Sequence, residues 1–113
     1  MSIKNSFNYH DREKYEQLLK VSNPQKVITN AIRYFNDPDI ELYLSTVKNK
    51  KYMIINKDNM KKVHFGHIDY QDFTKHNDLK RREAYLNRAY NIRGKWMDNK
   101  YSPNNLAINL LWA

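Results

Sequence analysis

An α+β fold, with one three-stranded antiparallel meander packed against about four helices in a single domain, is predicted by three observations. The 113-residue length suits one small domain with one modest core. Residues 41–67 hold three short β-branched and aromatic runs, "ELYLSTV", "KYMIIN" and "KKVHFGH", separated only by "KNK" and "KDNM". The segments on either side carry apolar residues at helical spacing between capping residues. Residues 1–40 read as an N-terminal helical segment, and 41–113 as the meander with a basic helix and a C-terminal helix, in one compact whole.

The first helix is expected within "NYHDREKYEQLLKVSNPQ", with Asn8 or Asp11 accepting from its first amides and Tyr15, Leu18 and Leu19 as its apolar stripe. It should stop near Ser22. Asn23 followed by Pro24 is an N-cap before a first helical position, and Val27, Ala31, Tyr34 and Phe35 continue that second helix up to Asp37-Pro38. The three strand runs must pair as hairpins, because a parallel return needs a crossover of about a dozen residues. On the third, Val63 and Phe65 share one face while Lys62 and His64 share the other, and Gly66 permits a bend.

"DYQDFTKHND" reads as a turn or one short helical turn. "NDLKRREAYLNRAYNIRG" is the strongest helical stretch, with Asn77 as its cap, Gly94 as its left-handed terminator, and Leu79, Leu86, Ala89 and Tyr90 on its buried side. Ser102 and Pro103 repeat the cap-then-proline start for a short last helix carrying Leu106, Leu110, Leu111 and Trp112.

The chain has no cysteine, which excludes disulfides, thiol catalysis and cysteine-based zinc sites. "MSIKNSFNYHDREKYEQ" lacks an apolar stretch of signal-peptide length and no apolar run is long enough to span a bilayer, so a soluble intracellular protein without membrane insertion is expected. The net charge of +8 is confined to one part of the chain. Residues 1–47 carry six basic and six acidic side chains, whereas residues 48–113 carry fourteen against six. A basic portion beside a neutral one points to an anionic partner such as nucleic acid, set against the alternative of solubility charge.

"KKVHFGH" admits three readings: a metal site, a catalytic histidine, or the end of a basic strand. His64, His67 and His76 with Asp69 and Asp72 are suitable ligand types, but His64 and His67 differ in strand parity. Nucleophile elbow, phosphate-cradling glycine loop and HExxH helix are all absent; a small metal-dependent nuclease built from Asp69, Asp72, His76 and Lys75 is a remote third reading, so no enzyme, cofactor or metal is expected. The basic surface is better supported. Lys50, Lys51, Lys61 and Lys62 flank the hairpins, with Tyr52 and His64 as rings among them able to stack on bases, and Arg81 and Arg88 lie seven residues apart on one helix face. Its alternative is a solvated hairpin whose edge lysines guard against aggregation. Arg82 and Arg93 fall on the apolar arc of the same helix, so their stems pack and their heads pair, or that arc meets a protein. Leu110, Leu111 and Trp112 are core, or an apolar anchor for a partner, including a second copy of the chain.

The ordered motifs "LS", "KNKKYMI", "KVHFG", "DFTKH", "RREAYLNR", "YSPNNLA" and "LLW", spread over residues 41–112, are similar to those of a family of small uncharacterised proteins of large nucleocytoplasmic DNA viruses. That resemblance implies a viral protein, located in the host-cell cytoplasm at the viral factory or in the virion. It implies no reaction and assigns no catalytic residue. Two roles follow as expectations: a non-enzymatic protein that binds viral DNA or RNA, or a virion structural protein, such as a minor capsid or core component, contacting other viral proteins.

Overall fold

The computed structural model describes residues 11–113. Its elements run α1 (Arg12–Val21), α2 (Pro24–Phe35), β1 (Leu42–Leu44), β2 (Lys50–Asn56), β3 (Lys61–His67), α3 (Phe73–His76), α4 (Leu79–Tyr90), a 3₁₀ turn (Trp96–Asp98) and α5 (Pro103–Leu106), which runs on as a π-helical turn (Ala107–Leu111). The sheet order is β1-β2-β3, antiparallel throughout. The fold class is therefore α+β, as the sequence predicts. No helix among the described residues is long and apolar enough to cross a membrane.

Local chemistry explains most boundaries. Asn23 Oδ1 accepts from the Lys26 amide at the start of α2, and Pro24 occupies the first turn where its missing N–H costs nothing. Asn8 lies outside the described residues, and Asp11 precedes α1 without a side-chain cap bond. α2 stops at Phe35, before Asp37-Pro38, because Asn36 adopts a left-handed conformation at φ 51° and closes the helix itself.

The core gathers Leu18 of α1, Val27, Ile28 and Ala31 of α2, Leu42 and Leu44 of β1, Tyr52 and Ile54 of β2, Phe65 of β3, and Leu106, Leu110 and Leu111 of the last helix. One apolar cluster thus spans both the 1–40 and 41–113 segments. Register places Tyr52 opposite Phe65 and Ile54 opposite Val63, so strand alternation carries these four side chains to the same inner face. Gly66 has φ 79°, and a Cβ there would stand 2.9 Å from Leu111 Cδ1 and 3.1 Å from Lys51 Cδ. Only glycine satisfies both the backbone and the space.

α4 departs from expectation at both ends. Its cap is Asp78, which accepts from the amides of Lys80 and Arg81, while Asn77 is the left-handed residue that ends α3. A carboxylate at the positive end of a helix is the stronger of two adjacent candidates. The helix finishes at Tyr90, four residues before Gly94, so Arg93 is an exposed loop residue and not part of an apolar arc. Leu79 and Tyr90 are 72 % and 51 % exposed; the side turned to the core is Arg82, Tyr85, Leu86 and Ala89.

The C-terminal segment is held by side chains that take up carbonyls left open by the turns. Ser102 Oγ accepts from the Asn105 amide, and the Asn105 amide group donates to the carbonyls of Trp96, Met97 and Asn99. Asn30 Nδ2 reaches Leu110 O at 2.9 Å and Arg82 Nε reaches Trp112 O at 2.8 Å, satisfying acceptors at the last turn.

Candidate nucleic-acid interface

Spacing along α4 builds one wall of a groove. Arg81, Ala84, Tyr85 and Arg88 recur at three and four residues and so share one face of the helix. The end of the sheet supplies the opposite wall, with Lys50, Lys51, Phe65, Gly66 and His67, and Pro103, Asn104, Ala107, Leu111 and Trp112 close it from the last helix. Tyr70 and Gln71 stand at its mouth. The cavity volume is about 720 Å³, within the roughly 300–1,000 Å³ of small-molecule sites.

Its electrostatics are one-sided. No Asp or Glu is among the lining residues, and Lys50, Arg81 and Arg88 form no ion pair among the described residues. Arg81 Nη1 donates to Gln71 Oε1 at 3.3 Å, which steadies one guanidinium beside the opening. Register brings Lys50 to the helix, because Lys50 pairs with His67 at the end of the β2-β3 ladder. Cations around a groove whose accessible apolar lining is Ala84, Pro103 and the half-buried Tyr85, backed by the buried Phe65, Leu111 and Trp112, can hold an anion whose other part is flat and apolar.

The sequence-predicted residues divide into three groups. Lys50, Arg81 and Arg88 converge on the groove. Lys61 and Lys62 are exposed on β3 away from it, and His64 is half-buried, with Nδ1 2.7 Å from Ser45 Oγ. Lys51 and Tyr52 are corrections: they are 2 % and 0 % exposed. Tyr52 lies in the core against Phe65 and offers no ring to a base, because the inner face of β2 falls on Tyr52 and Ile54. Lys51 lines the groove floor, but its ammonium is 3.0 Å from Asp72 Oδ2, both buried, and adds no unbalanced charge.

That pair ends a buried polar chain. Asp72 Oδ1 accepts from the Thr74 amide and hydroxyl, Thr74 Oγ1 is 3.3 Å from Ser22 Oγ, and Ser22 Oγ is 2.8 Å from Tyr52 Oη. Burial pulls the Lys51 ammonium below its ordinary pKa, opposed by the charge of Asp72 and its hydrogen bond. Asp72 is thus a cap for α3 and the counter-ion of Lys51.

Of the residues assigned to protein contact, Leu110, Leu111 and Trp112 take the core alternative. They are at most 9 % exposed and pack on their own chain, with the Trp112 indole stacked on Tyr85 at 4.2 Å and 7°. Arg82 follows the packing alternative: its head bonds Trp112 O and sits 5.5 Å from the Phe73 ring centre. Among the described residues no group of three or more His, Cys, Asp or Glu side chains is placed to hold a metal ion. The lining residues that the sequence did not single out are Tyr70, Gln71, Ala84, Tyr85, Asn104 and Ala107. Tyr85 carried a signal, since it is four residues from Arg81 on the same helix face.

His64 and His76 should make stability pH-dependent. Burial, then nearby cations, lowers the pKa of His64 (Lys62, Lys14, Lys50); burial and Arg81 lower that of His76, with Asp78 and Asp72 opposing. A base whose folded pKa lies below its unfolded value near 6.5 leaves the unfolded state binding more protons as pH falls. Their contribution is complete above pH about 6.5 and is lost as pH falls through the folded values. Thermal midpoints should therefore fall from pH 7.5 towards 5, above the range where carboxylates titrate, and fall less in a His64→Asn/His76→Asn double variant. Parallel pH profiles for the two proteins would contradict this.

A family model described as a family of unknown function (DUF5754) matches residues 40–89, from just before β1 to nearly the end of α4. No curated protein and no solved structure matches the chain. The matched stretch contains Lys50, Arg81 and Arg88, and the groove's third wall, from Pro103 to Trp112, lies beyond it.

Proposed function

We propose that the chain is a non-enzymatic nucleic-acid-binding protein of a large DNA virus. The observation that carries the binding is the meeting of Lys50, Arg81 and Arg88 around one groove without a lining carboxylate. Phosphates would be neutralised there, with Lys61 and Lys62 extending the basic surface along β3. The proposed viral origin draws its support from the motif series of residues 41–112, and a place in the infected cell or the particle would follow from it.

Binding of labelled DNA and RNA should fall steeply with salt, by roughly 0.7 to 0.9 in log K per log salt for each phosphate neutralised. Arg81→Ala/Arg88→Ala should flatten that slope by about one unit per arginine and weaken binding across sequences alike. Lys61→Ala/Lys62→Ala reports separately on β3. Salt-insensitive binding, or a slope unchanged in the arginine variant, would count against the proposal.

A second reading, a virion structural protein, draws on Tyr90, Ile92 and Met97, each more than half exposed beyond the groove at the end of α4. It becomes the leading reading if no nucleic acid binds near physiological salt.

A further inference from the structure

We infer that the groove seats one unpaired nucleobase, which makes the protein a binder of single strands in preference to duplex. The inference rests on the nucleic-acid reading and specifies what the same site selects. Three features support it. The cations stand around a groove of about 720 Å³ whose accessible lining includes Ala84 and the half-buried Tyr85 ring, backed by Phe65, Leu111 and Trp112, each at most 9 % exposed. A groove meant only for phosphates would need no such interior, since phosphate contacts are made at exposed polar surfaces. At its mouth Tyr70 is 67 % exposed, its ring beside His67 at 4.9 Å and outside the core cluster, where it can cover a base entering from solvent.

The geometry excludes the stacked alternative. Bases of a duplex are closed within the stack, and only their edges reach a side chain. A base entering a pocket must already be unpaired, or be extruded at the cost of its stacking and pairing. Single strands meet no such cost. The sequence tolerance follows as well, because each base offers a ring face and the walls offer few hydrogen-bonding groups.

The test uses the full chain and four probes of one length by fluorescence anisotropy at fixed salt: single-stranded DNA, single-stranded RNA, duplex DNA, and DNA made wholly of abasic sites. Single strands with bases should bind roughly tenfold or more tighter than duplex or abasic DNA. Ala84→Leu narrows the groove from an exposed position of α4 without removing a cation or adding a ring, and should reduce that preference while abasic DNA binds as before. Tyr70→Ala, also exposed, should reduce the preference. Equal affinity for all probes, still steep in salt, overturns the base seat and leaves the basic surface standing. Failure of every probe to bind overturns both. Preference for single strands that is undiminished in both Ala84→Leu and Tyr70→Ala places the base elsewhere and overturns the inference.

Discussion

Lys51→Met should cost the fold about 3–5 kcal/mol, read as a lower urea midpoint with unchanged slope. The reason lies in what remains. Asp72 is fully buried, and Lys51 Nζ is the partner of its Oδ2 at 3.0 Å. Thr74 serves only Oδ1, through its amide and hydroxyl, so removal of the ammonium leaves a buried charge half satisfied. Methionine keeps the stem that packs over Gly66, which restricts the loss to the charge. Lys51→Met/Asp72→Asn removes both charges, retains an oxygen for Thr74, and should recover much of the loss. Equal destabilisation in the single and double variants would contradict this account, because the stranded Asp72 carboxylate could not then be the source of the cost.

The double variant separates fold from binding. Lys51 lies on the groove floor, yet its charge is balanced by Asp72, so the salt dependence of nucleic-acid binding should follow Arg81 and Arg88, while Lys51→Met/Asp72→Asn, which removes both charges, leaves it unchanged in protein that remains folded.

Local patterns carried the fold because they depend on neighbours in sequence. The "KNK" and "KDNM" turns leave no room for a crossover, and Asn23-Pro24 and Ser102-Pro103 start helices through bonds made within three residues. Strand parity was likewise legible for Val63, Phe65, Lys62 and His64, but it fixes which residues share a face, not which faces are covered. Tyr52 shares its face with Ile54 and packs on Phe65, whereas Lys51 finds Asp72 twenty-one residues away. Nothing near Lys51 in the sequence announces a buried acid. The groove divides the same way. Arg81 and Arg88 pair by helical spacing, but Lys50 joins them only through β2-β3 register, and Trp112 through the path of the last helix. The spacing to Gly94 predicts an α4 that runs past Tyr90, although Gly94 at φ 107° serves the following loop.

Trp112→Ala should destabilise the protein by about 3–5 kcal/mol, the range for removing a large buried aromatic and leaving a partial cavity. The indole is 9 % exposed, stacks on Tyr85 at 4.2 Å and has His76 at 5.2 Å on a tilted approach, so truncation strips contacts from α3 and α4 together. Its carbonyl holds Arg82, whose head also lies over Phe73, and loosening the last turn would release that arginine from both. Trp112→Phe keeps a ring against Tyr85 and should lose less than half as much. Stability and assembly then distinguish the two uses of "LLW". An anchor for another molecule would leave monomer stability intact in the alanine variant and change only the association state. Trp112 packed within its own chain predicts the reverse, a lower urea midpoint at every protein concentration with the association state unchanged. The groove gives a third readout: the indole forms part of its wall, so Trp112→Phe, folded and with every cation in place, should weaken single strands that carry bases and leave abasic DNA unaffected.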